Sequence, residues 1–200
     1  MVAQMEPQQV VLQPQNNIDC AIFAFINLWR KMGLDPPSRF QIDNALIEHI
    51  GGRTARIDPD GGTGLSPIDI LDLCADLSYP GPVCYSIVPR GKEMRDCLPS
   101  LLDAGCGCLV SFVYEAGERR YKHSVVVQSY TDEYIEVLCS VNGILCIPWT
   151  TVDFDYFERG LELPVTYFQG VSIRYGLYRS IVALWPQGKS QQSKIVISAA

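Results

Sequence analysis

The apolar positions of this chain follow a helical repeat in its first half and a strand repeat in its second. From residue 20 to 32 apolar side chains fall all round the helical repeat, Ile22, Phe23, Phe25, Ile26 and Trp29 among them. That pattern predicts a central, buried helix rather than a surface one. Gly33 stops it, as a glycine just past a helix end commonly does. A second helix is expected over 40–50, where Ile42, Leu46, Ile47 and Ile50 share a side before Gly51-Gly52. Ser66-Pro67-Ile68-Asp69 reads as a helix start, with Ser66 as N-cap, Pro67 at the first position and an acid in the first turn. Leu71, Leu73, Cys74 and Leu77 then fill its buried face. A short strand over 83–88 and a helix over 92–104 follow. Gly105 ends that helix, and Pro99 either kinks it or delays its start.

Beyond Gly105 the period shortens. Strands are expected over 108–114, 123–130, 134–139, 144–147, 165–173 and 177–185, with a charged hairpin loop over 115–122 and a short helix over 151–159. Asn142-Gly143 is a strong hairpin signal. At the start of the chain, Val10-Val11-Leu12 could pair as a short edge strand. Helices first and an antiparallel sheet afterwards make an α+β fold. With no repeat and no clear linker, residues 1–186 are expected to form a single domain and 187–200 a tail.

Composition narrows the function. Nearly half of the 200 residues are hydrophobic, enough for one well-buried domain. The net charge of −6 and the absence of a basic run argue against a nucleic-acid partner. No apolar stretch reaches membrane-spanning length, and residues 1–12 lack the basic head and apolar middle of a signal peptide. A cytoplasmic protein is therefore expected, with export by a route that needs no such signal left open. The eight cysteines lie mostly in apolar segments and read as reduced, buried thiols rather than a disulfide framework. Cys106-Gly107-Cys108 has no second pair or nearby histidine to complete a metal site, and Asp58-Pro59-Asp60-Gly61-Gly62 lacks the spacing of a calcium loop. No metal or other cofactor is expected.

Two positions carry candidate chemistry. Cys20 opens the central helix, where the helix dipole favours thiolate over thiol and free backbone N–H groups can receive an oxyanion. A plain buried cysteine beginning a core helix is the alternative. The chain has only two histidines. His49, near a helix end, reads as a surface or capping residue. His123 stands where a charged segment becomes the apolar strand His123-Ser124-Val125-Val126-Val127. An imidazole held there could take the proton of Cys20 and later return one to a leaving group, although a structural role is open to it as well.

These segments resemble papain-like cysteine peptidases, most closely the C39-like branch known from bacteriocin-processing domains. The resemblance rests on Asp19-Cys20 opening an apolar helix after a glutamine-rich lead-in and on the His123 strand. Gly62 to Ile70, Cys97 to Gly105 with the strand after it, and Tyr134-Ile135-Glu136-Val137 are also similar to family segments. It implies a central nucleophile helix packed on a C-terminal antiparallel sheet, with Cys20 as nucleophile and His123 as general base. It also implies a glutamine about six residues before the cysteine as oxyanion donor. That place falls on Pro14, between Gln13 and Gln15, and Gln15 is preferred. The family's orienting Asp or Asn comes about sixteen residues after the histidine. Here that place falls on Cys139-Ser140, and the nearest candidate is Asn142, which equally suits a hairpin turn. A narrower resemblance, to papain-like leader proteases of RNA viruses, covers only the cysteine segment with its Asn16-Asn17 and the histidine strand.

Three functions are compatible with this pattern: a hydrolase of peptide or isopeptide bonds working through a thioester on Cys20, a deamidase or acyl-transferring enzyme using the same thioester on a protein side chain, or a decayed scaffold that only binds a partner. The expected partner in each is a protein or peptide.

Overall fold

The computed structural model describes residues 10–12, 20–50, 65, 67–87, 94–116, 119–152, 165–168 and 171–188. Three helices come first, α1 (Cys20–Lys31), α2 (Arg39–Ile50) and α3 (Pro67–Asp76). Strand β1 (Val83–Ile87) and helix α4 (Met94–Asp103) lead into β2 (Gly107–Ala116), β3 (Arg119–Tyr130), β4 (Tyr134–Cys139) and β5 (Gly143–Pro148). A single turn of helix, α5 (Trp149–Val152), precedes β6 (Val165–Phe168) and β7 (Val171–Leu184). All pairings are antiparallel, in the order β1-β7-β2-β3-β4-β5, with β6 on β7. The molecule is α+β. No helix among the described residues is long and apolar enough to cross a membrane.

The sheet is covered on both faces. Leu109, Val126, Leu138, Val182 and Leu184 point to one side, where Ile22, Phe25, Leu28, Ile42, Ile70 and Leu73 of α1, α2 and α3 close over them. Cys108, Val110, Val125, Val127, Val137, Cys139 and Ile181 point to the other, under Met94, Leu98 and Leu101 of α4 and Trp149 and Val152 of α5. Only strands buried on both faces read as unbroken apolar runs, as Val125-Val126-Val127 does. The expected arrangement of helices packed on a sheet therefore gains a second helical layer, supplied by α4 and α5.

Other differences have local causes. Strands occupy most of the expected charged loop at 115–122, since β2 runs to Ala116 and β3 starts at Arg119. The ladder continues through Glu115 opposite Arg120 to Ala116 opposite Arg119, so the two strands pair further along the charge run than its polarity predicts. Helix α4 continues through Pro99. Residues 10–12 form no strand. The Val11 N–H instead donates to Asn27 Oδ1 at 2.8 Å, and Asn27 Nδ2 donates to the Val11 carbonyl at 3.1 Å. The primary amide of a buried helix residue thus supplies the donor and acceptor that a neighbouring strand would. Gly143 takes φ +80°, the left-handed conformation its hairpin turn requires. The N-cap Ser66, the loop at 53–64, most of the helix expected over 151–159, and the tail after residue 188 lie outside the described residues.

Candidate active site

Cys20 is the first residue of α1, half-buried, and the first turn contains no acidic residue to offset the positive end of the helix dipole. Buried Phe25 and Leu28 fasten the helix to the sheet. At its far end, Lys31 Nζ donates to the Gln128 carbonyl of β3 at 2.7 Å. Desolvation at that place lowers the Lys31 pKa, and the charge of Glu136 works the other way.

His123 lies on β3, opposite Phe112 of β2. By strand alternation its side chain belongs to the face of Val125 and Val127, whereas α1 packs over Val126 and Leu138. Its Nε2 is 3.1 Å from Cys139 Sγ, at the end of β4. The register explains this contact: Val126 pairs with Leu138, so His123 and Cys139 are diagonal neighbours on one face. Burial pushes the imidazole down to about 4, because a charged ring would lose its hydration. Cys139 is only 1% exposed, and desolvation raises its thiol pKa. Hydrogen bonds from Asn142 and from the Val141 backbone oppose that rise.

His123, Cys139 and Asn142 therefore come together, but not in the expected roles. Asn142 directs its backbone N–H at 3.4 Å and its Nδ2 at 3.8 Å to Cys139 Sγ, not to the imidazole. The orienting place next to Nε2 is taken by Cys139. Gln15 and Gln13 lie outside the described residues, as does the side chain of His49. Cys139 is the residue that sequence reasoning passed over. The spacing of sixteen from His123 pointed straight at it, but a thiol is neither Asp nor Asn and its apolar surroundings read as plain core. Among the described residues, no group of three or more His, Cys, Asp or Glu side chains could hold a metal ion.

No protein-family model matches this chain, and no curated protein does. Among solved structures it is similar to a double glycine motif protease from an AMS/PCAT transporter, determined in complex with the leader peptide. The two share 12% identity over 89% of this chain and 96% of that one, with a TM-score of 0.43, a likeness too loose to bear on the site.

Proposed function

We propose that this protein is a cysteine hydrolase that cleaves a peptide or isopeptide bond through a thioester on Cys20. The imidazole of His123 takes the Cys20 proton, and the sulfur attacks the scissile carbonyl carbon. The C–N bond then breaks as the imidazole returns the proton to the departing amine. Water, deprotonated by the same ring, attacks the thioester carbonyl; the C–S bond breaks and the acid is released. The Cys20 backbone N–H, with Gln15 as a second donor, receives the oxyanion.

The observation that carries this reading is that α1 and β3 share an anchor, the Lys31–Gln128 bond. Counted back from it, the eleven helical steps to Cys20 rise about 16 Å. The five strand steps to His123 cover about 17 Å. Both residues thus lie about equally far along their own elements from one crossing point. Because α1 packs on the face opposite to that of the His123 side chain, the reading requires the thiol and the ring to meet around the margin of the sheet. A second reading, a scaffold that binds a peptide without cleaving it, is favoured by the thiol in the orienting place, since Cys139 brings no negative charge to support an imidazolium.

The pH dependence of alkylation at Cys20, followed by peptide mass spectrometry in wild type and His123→Ala, decides between them. A wild-type rate that persists below the free-thiol pKa of about 8.5 and falls in the variant supports the hydrolase. Equal, slow rates in both proteins support the scaffold. If the pair is active, product analysis then separates peptide cleavage from ammonia release or acyl transfer.

A further inference from the structure

The sulfur of Cys139 has an uneven set of neighbours. The Asn142 backbone N–H, Asn142 Nδ2 and the Val141 backbone N–H are all donors. The imidazole Nε2 at 3.1 Å can either donate or accept. A thiol has one proton to give and sulfur lone pairs to receive. With amide N–H groups on the receiving side, the S–H has one acceptor among these neighbours, Nε2 of His123. A neutral imidazole that accepts at Nε2 carries its own proton on Nδ1. An Asp or Asn in the same place does the opposite: its oxygen accepts from Nε2–H and leaves Nδ1 bare, able to act as a base.

We propose that Cys139 is a positioning residue that restrains the site: its S–H donates to Nε2 of His123, holds the ring as the Nδ1–H tautomer, and so occupies the nitrogen that would otherwise take the Cys20 proton. The consequence for Cys20 rests on the hydrolase reading; the ring tautomer does not. The contact could instead be met by Nε2–H donating to the sulfur, of a neutral thiol or of a thiolate beside an imidazolium. The amide N–H groups already directed at Sγ compete with the first, and the buried thiol and partly buried ring work against the second. The restraint is one hydrogen bond deep, so the other tautomer is still visited and reaction at Cys20 is slowed about tenfold rather than stopped.

The test uses the full chain with 15N-labelled imidazole. Long-range proton–nitrogen spectra at neutral pH report the tautomer, and the alkylation rate of Cys20 is measured in the same samples. In wild type, Nδ1 should give the protonated-type shift and Nε2 the unprotonated one. Cys139→Asn, which offers Oδ1 to Nε2–H, should invert the two shifts and raise the alkylation rate about tenfold. Cys139→Asp is the second variant should the first fail to fold. An Nε2–H tautomer or an imidazolium in wild type overturns the proposal. If the shifts invert and the alkylation rate stays put while His123→Ala still lowers it, the restraint alone is overturned. Rates unmoved by any of these variants overturn the Cys20–His123 pairing and the restraint with it, and the ring spectrum still decides whether Cys139 is the donor.

Discussion

Burial of His123 should make the folded protein acid-sensitive by an amount that can be isolated. The ring is held down to about 4, against about 6.5 in an unfolded chain. Between those values the unfolded state binds the proton and the folded state refuses it. Stability therefore rises with pH across the window, is complete above about pH 6.5, and is lost as pH falls toward 4. A difference of about 2.5 units corresponds to roughly 3 kcal/mol, a sizeable share of the roughly 5–15 kcal/mol that usually separates folded from unfolded domains. Many carboxylates titrate in the same range, so one acid-denaturation curve cannot assign the loss. His123→Gln removes this titration and leaves the others in place. Urea unfolding of both proteins at several values between about pH 4 and 7 should show wild type losing roughly 3 kcal/mol relative to the variant as pH falls. Any constant offset from the substitution cancels in that comparison. Parallel stability curves for the two proteins would refute the reasoning and mean that the ring is hydrated or paired with a charge in the folded state.

Asn27→Ala removes both bonds to Val11 and should cost about 1–2 kcal/mol in urea unfolding, with faster amide exchange at Val11; unchanged exchange would show that the clamp holds nothing. Gly107→Ala should lower the melting temperature, because the new Cβ would lie 2.6 Å from Met32 Sδ and 2.7 Å from Leu28 Cδ1 under α1. A cost of about 1–3 kcal/mol is expected, and an unchanged Tm would mean that Met32 and Leu28 move aside freely. At alkaline pH the sign reverses for buried thiols. Cys74 is pushed up to about 12 by desolvation. The unfolded chain ionises first and stability falls above about pH 9. Cys74→Ala should flatten that decline; an equal slope in both proteins would count against a dry environment for the thiol.

Much of the fold was legible because the patterns were local. The all-round apolar helix after Asp19, the Pro67 start of α3 and the Asn142-Gly143 turn each follow from neighbouring residues, and the described structure has α1, α3 and the β4–β5 hairpin at those places. Less legible were features that depend on partners distant in sequence. Val125-Val126-Val127 announces a strand buried on both faces, yet nothing in it names α4 and α5 as the second cover. The pairing of Glu115 and Ala116 with Arg120 and Arg119 depends on register between β2 and β3 rather than on hydrophobicity. Val10-Val11-Leu12 has strand-forming residues, but the partner that claims its backbone is the side chain of Asn27. Cys139 was hidden differently: its distance from His123 matched the orienting place, while its chemistry matched the core.

The two-sided sheet also bears on how the proposed chemistry would be held together. Cys20 rides on a helix gripped by one apolar core, and His123 is locked to Cys139 in the other. The backbone plate is common to both layers, so any meeting of the two groups has to occur around its margin, and their alignment depends on its flatness and twist as much as on the fit of either layer. Sliding of α1 against the sheet would carry the sulfur but not the imidazole, and repacking beneath α4 would disturb the imidazole but not the sulfur. Such a design behaves like a latch whose two parts are mounted on opposite sides of a door and close around its edge: its tolerance is set by the stiffness of the panel.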